Sequence, residues 1–161
     1  MSAIKCSCES VARGPCGLIA NSEVIARLIF FPDHIRTSDK SVKPGAFPLS
    51  HIREKGLSLV RPCKLSVVEL ERFAKAVASK MRDGEWYGQI QFAAILPRSL
   101  IDDDGNRSVC VFEDPTDEDN DVPQNPAHAL LVSASHPMSE EDAKEVRAAL
   151  VTSGVLKLAA S

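Results

Sequence analysis

Three short apolar segments follow one another after residue 86 with no helical period between them, and this succession constrains the fold more than any other feature of the chain. "WYGQIQFAAIL" puts Ile90, Phe92, Ala94 and Leu96 on one face and Gln89 and Gln91 on the other, the period of two expected of a strand. "RSVCVFE" and "AHALLVSA" read the same way. The turn-forming "DDDGN" between the first two predicts neighbouring antiparallel strands over 87–96 and 107–113, joined like a hairpin. A doubly wound fold needs helices and strands in regular alternation, and this order lacks it.

Upstream, "SEVIARLIFF" is rich in β-branched and aromatic residues and is closed by Pro32, which predicts a buried strand. Val24, Ala26, Leu28 and Phe30 share one face. Ile25, Ile29 and Phe31 make the other face apolar as well, so Arg27 there needs a partner or an exit to water. "GLSLVRP" reads as a short strand. Ser66 and Glu69 then form an S-x-x-E capping box, whose side chains satisfy each other's backbone donors. Val67, Leu70, Phe73, Ala74, Val77 and Met81 continue from it at helical spacing, and the helix ends near Gly84. A second helix is predicted from Ser139, with Ala143, Val146, Ala149 and Leu150 facing inward and Gly154 as its stop. The last apolar stub, "VLKLA", either pairs or frays. The expected fold is α+β: a mainly antiparallel sheet of about five strands with two helices.

At 161 residues and 44% apolar content, the chain suits one core. Residues 1–20, which include the breaker "GPCG" and three cysteines, read as an irregular arm, and 21–161 as a single α+β domain. Residues 32–56 hold three prolines and two glycines among polar residues, an excursion of a length that is often functional. No apolar run approaches the roughly 20 residues of a membrane span. The N-terminus lacks a basic start followed by an apolar segment, so the expected location is cytoplasmic and the expected thiols are reduced.

The net charge of -3 hides an asymmetry: residues 1–82 carry 14 Lys and Arg against 7 Asp and Glu, and residues 83–161 carry 5 against 15. Such a division suits either an anionic ligand or attraction between two parts of one domain. With no clustered Lys and Arg and few aromatics, the chain does not read as a binder of double-stranded nucleic acid. Phosphate-cradling glycine loops are also missing.

Candidate sites are scattered. In "DPTDEDNDVPQNPAHALL", Asp117, Asp119 and Asp121 occupy the first ligand places of a calcium loop, but Val122 stands where glycine is needed and His128 where a closing glutamate is needed. A register from Asp102 places Glu113 last, with Gly105 too early. A solvated acidic loop is the simpler reading. His128 lies in a predicted strand, where Glu113 or Asp114 at the end of the preceding strand would make a histidine–carboxylate pair fit for proton transfer. Cys6, Cys8 and Cys16 form C-x-C-x7-C, with Cys63, a histidine or a carboxylate as a fourth zinc ligand. The spacing differs from that of zinc fingers, and free thiols in a tail are the alternative. Cys110 reads as a packed core thiol.

Arg27, Ser58 and Glu113, one on each of three successive strands, resemble the Arg, Ser, Glu order of ADP-ribosyltransferase-like enzymes. That resemblance implies that Arg27 and Ser58 position a dinucleotide and that Glu113 stabilises charge at the reacting sugar. The S-T-S triplet and E-x-E pair of such enzymes are absent. Over residues 22–132, "FFPDHI", "GLSLVRP" and "NPAHALL" also resemble small uncharacterised bacterial proteins, which imply no activity but single out His34, Arg61 and His128 as binding candidates. Two functions are therefore expected in outline. The first is a small accessory protein that binds another protein through the 32–56 excursion and the acidic loop. The second is an enzyme acting on a nucleotide or nucleic-acid-derived substrate, with His128 or Glu113 in the chemistry.

Overall fold

The computed structural model describes residues 6–135 and 138–159. Helix α1 (Val67–Ala78) starts where the capping box predicts: the Glu69 N–H donates to Ser66 Oγ at 3.1 Å, and the Ser66 N–H donates to Glu69 Oε1 at 3.1 Å. Its Leu70, Ala74 and Ala78 pack on Ala26, Leu28, Phe30 and Val60. Val67 departs from the expected stripe and is 78% exposed. Short helix α2 (Ile95–Arg98) follows the third strand, and α3 (Glu140–Ser153) is capped by Ser139, whose Oγ accepts from the Asp142 N–H at 3.1 Å.

The strands are β1 (Val24–Phe31), β2 (Leu57–Val60), β3 (Glu85–Ala93), β4 (Val109–Glu113), β5 (His128–Ser133) and β6 (Val155–Leu158). They form one sheet in the order β4-β5-β2-β1-β3-β6, with every neighbouring pair antiparallel. The α+β expectation stands, with two corrections. The C-terminal stub is a sixth strand paired with β3, and the expected β3–β4 hairpin does not form. Residues 95–98 coil into α2 instead of extending, anchored by N–H bonds from Ala94 to the Glu23 carbonyl and from Ile95 to the Asn21 carbonyl. The chain thereby crosses the sheet, and β4 pairs with β5 while β3 pairs with the long β1.

On the face opposite α1, Ala143, Val146 and Leu150 of α3 join Ile25, Ile29, Leu59, Phe92, Val111 and Leu131. The 32–56 excursion closes this layer, since Ile35, Ala46, Phe47 and Ile52 are fully buried. These four residues anchor the segment to the core, while residues 36–41 stay exposed. The arm is also fastened down. Cys6 and Cys110 form a disulfide (Cα–Cα 5.4 Å), which corrects the expectation of reduced thiols at both positions. Glu9 accepts from Arg107 Nη1 (2.8 Å), Arg98 Nε (3.2 Å) and the Val111 N–H (2.7 Å), while Arg98 Nη2 donates to the Val111 carbonyl at 2.8 Å. Side chains thus occupy backbone groups of edge strand β4 that would otherwise invite another strand. The acidic loop folds into a small ribbon closed by Thr116–Asn125 and Asp119–Val122 bridges.

Candidate active site

Strands β1 and β2 are paired at Ala26–Val60, and away from that point other groups take over. The Phe30 N–H donates to His34 Nδ1 at 3.0 Å. Arg27 Nη1 donates to the Ser58 carbonyl at 3.0 Å and its Nε to the Ala46 carbonyl at 2.8 Å, which answers its need for partners. Burial draws the Arg27 pKa down to about 10, so it keeps its charge at neutral pH. A cavity of about 170 Å³ opens here, walled by Leu28, Phe30, Val60, Phe73 and Val77 and also lined by Arg27, Ser58 and His128. It is comparable to the roughly 150 Å³ cavity that accepts one benzene ring, and below the ~300 Å³ at which drug-sized pockets begin.

His128 opens β5 opposite Val60, and Ser58 lies opposite Leu130, so Ser58 and His128 are diagonal neighbours on adjacent strands. His128 Nδ1 lies 2.8 Å from the Asp114 carbonyl and 3.3 Å from Asp114 Oδ2. Both are acceptors, which puts the proton on Nδ1 and leaves Nε2 as the basic nitrogen of the neutral ring. Burial lowers the His128 pKa and the Arg27 charge adds to this, while the bonds and charge of Asp114 oppose them. The ring is therefore neutral at physiological pH, held by a carboxylate in the manner of a general base. No hydrogen bond joins Ser58 to His128 among the described residues.

The carboxylate beside His128 is thus Asp114, and Glu113 stands elsewhere. Successive residues at a strand end point to opposite sides. Glu113, 1% exposed, accepts from the backbone N–H groups of Arg13 and Gly14, and its Oε2 lies 3.5 Å from Arg61 Nη1. Arg61 has no donor nitrogen left for a ligand: Nε and Nη2 hold Glu23 at 2.6 and 2.8 Å, Nη1 donates to the Gly17 carbonyl at 2.7 Å, and Nη2 also reaches the carbonyls of Cys16 and Leu18. The pair therefore binds the arm to the sheet. His34 closes the turn after β1, its ring 5.8 Å from that of Phe30 and its pKa drawn down to about 4 by burial and by Arg27. Of the Arg27, Ser58, Glu113 and His128 set, three line one cavity and Glu113 does not.

The cysteine set does not fit zinc. Cys6 is disulfide-bonded, Cys8 and Cys16 are half-buried, Cys63 is exposed, and no group of three or more His, Cys, Asp or Glu could hold a metal ion among the described residues. Phe73 and Val77 were legible as helix core but not as cavity walls, and nothing in their spacing marks the difference. No family model matches the chain, and no curated protein or solved structure does either.

Proposed function

We propose that the protein is an enzyme in which His128, oriented by Asp114, acts as general base on a small, largely apolar substrate group seated between α1, β1 and β2. The observation that carries this reading is a neutral histidine, held by the Asp114 carbonyl and carboxylate, lining an apolar cavity beside a charged, half-buried arginine. His128 Nε2 takes a proton from a substrate hydroxyl, a water or Ser58, and the Asp114 carboxylate stabilises the imidazolium that forms. Arg27 favours negative charge growing on the substrate and disfavours a charged ring before reaction. The cavity admits one ring or a short acyl group, so a nucleotide-derived substrate would insert a single ring.

NMR titration tests the base directly. The His128 midpoint is expected below the ordinary 6.5, with the proton on Nδ1 in the neutral ring, and Asp114→Asn is expected to lower it further because Asp114 favours the charged form. Hydrolysis of p-nitrophenyl acetate and of uridine should be lost in His128→Gln, and activity should fall as pH drops through the same midpoint. A midpoint above 6.5, or a proton on Nε2, would sink the assignment.

A second reading is favoured by the opposite sheet edge. Val155 and Leu158 of β6 are 66% and 61% exposed, beside a groove of about 380 Å³ lined by Val67, Leu70 and Trp86. A partner strand added there would make the protein an accessory binder. Leu158→Asp would then abolish pull-down of that partner and leave p-nitrophenyl acetate hydrolysis unchanged.

A further inference from the structure

The sheet face under α1 is not apolar throughout. Beyond Ala26, Leu28 and Phe30 of β1 it continues on β3 as their paired neighbours Gln91, Gln89 and Trp86. Strict alternation would put Tyr87 in the third place. The bulge opposite Ile29 and Phe30 skips that residue and turns Trp86 to the α1 side, a bulge being one way a strand re-aims a side chain. Trp86 Nε1–H donates to the Gly88 carbonyl at 2.9 Å, which holds the indole in place across the bulge.

Trp86 thereby lines the groove of about 380 Å³ between α1 and β6, which has no lining residue in common with the His128 cavity. The volume is more than twice the roughly 150 Å³ that holds one benzene ring and exceeds the ~300 Å³ at which drug-sized sites begin. Two fused rings fit. Val67 and Leu158, also on its lining, are 78% and 61% exposed, and exposed apolar side chains gathered around a concavity mark a binding groove.

Charge selects the ligand. Glu71 and Lys157 both line the groove, but the Glu71 carboxylate is already held by Lys75 Nζ at 2.6 Å. Lys157 is exposed and has neither an ion pair nor a side-chain hydrogen bond among the described residues. It pairs with Gln89 across β3 and β6, so it stands on the same side of the sheet as Trp86. The charge left unmatched beside the apolar walls is positive.

We propose that this groove binds a flat aromatic anion of about two rings, its rings seated among Trp86, Val67 and Leu158 and its carboxylate at Lys157. The site is independent of the His128 chemistry and needs no partner strand on β6.

The probe is 2-naphthoate, with 2-naphthamide lacking the charge and 2-naphthylmethylammonium reversing it. Trp86 is the chain's single tryptophan, so its indole N–H gives one cross-peak in 1H–15N spectra of the full chain. That peak is expected to move saturably with naphthoate, and naphthoate to bind about fivefold more tightly than naphthamide, the upper range for an exposed ion pair. Lys157→Gln, at an exposed position, should melt like the wild type, bring naphthoate down to the affinity of naphthamide and leave naphthamide unchanged. Raising the salt should erase the same preference. An indole peak unmoved by about 1 mM naphthoate, the weak end of specific binding, overturns the site. So does an ammonium probe that binds as tightly as naphthoate, or an unchanged naphthoate affinity in Lys157→Gln. Naphthoate that moves the His128 resonances and leaves Trp86 silent would sit in the first cavity, which overturns this site and leaves the catalytic reading standing.

Discussion

Replacing Arg61 with alanine separates a binding role from a structural one. Its guanidinium is fully buried, holds Glu23 through two bonds, approaches Glu113 at 3.5 Å and donates to carbonyls of residues 16–18. Truncation strands buried Glu113 without its ion pair and leaves the arm carbonyls without their donor. Removing one partner of a buried pair is worth roughly 3–5 kcal/mol. For a chain of this size that corresponds to a fall in Tm of roughly 6–20 °C. Urea unfolding followed by tryptophan fluorescence gives the first number and calorimetry the second, and trypsin should cut faster at Arg13 as the arm loosens. A loss below about 1 kcal/mol, the range of exposed pairs, would refute the structural assignment and return Arg61 to the list of ligand-binding candidates.

Glu9→Gln should destabilise the fold by roughly 1.5–3 kcal/mol at neutral pH, the range for hydrogen bonds to charged groups. Burial raises the Glu9 pKa, but the Arg107 and Val111 hydrogen bonds and the charges of Arg98 and Arg107 outweigh it and leave the value below 4.5. Its stabilisation is thus complete above the unfolded value and lost as pH falls through the folded one; in pH-dependent urea melts the gap between variant and wild type should close on acidification, and a constant gap would contradict this. The Cys6–Cys110 bond predicts three titratable thiols in unreduced, denatured protein and five after reduction. Cys110→Ser should lower stability by roughly 2–5 kcal/mol in the same melts, the usual range for losing a native disulfide; five thiols before reduction would show that the bond is absent.

Local signals carried the elements well. The Ser66–Glu69 box, with its two reciprocal bonds, and the single-bond Ser139 cap read true because each is made within four residues, which no distant contact needs to support. The long excursion was legible only in part, since proline and glycine mark turns whether or not the apolar residues between them are buried: Phe47 and Ile52 lie in the core. Strand partners also misled. A period of two says which residues share a face and nothing about which edge a strand joins, so the hairpin over 87–113 was plausible locally and lost to β1, whose eight residues pair β3 along its length.

At the site, sequence alone determined that a histidine would open a strand, with carboxylates ending the strand before it, and that Arg27 on an apolar strand would need partners. Only the tertiary structure decided that Asp114, and not Glu113, meets His128, because the two carboxylates face opposite ways and only one faces the ring. Only it decided that the arm is bound by Cys110, Glu113 and Arg61, residues from 43 to 104 positions away in sequence. The physical reason is the same in each case. Capping and periodicity are energies between near neighbours and are written locally, whereas buried charges and cavities take their meaning from whatever the folded chain brings beside them.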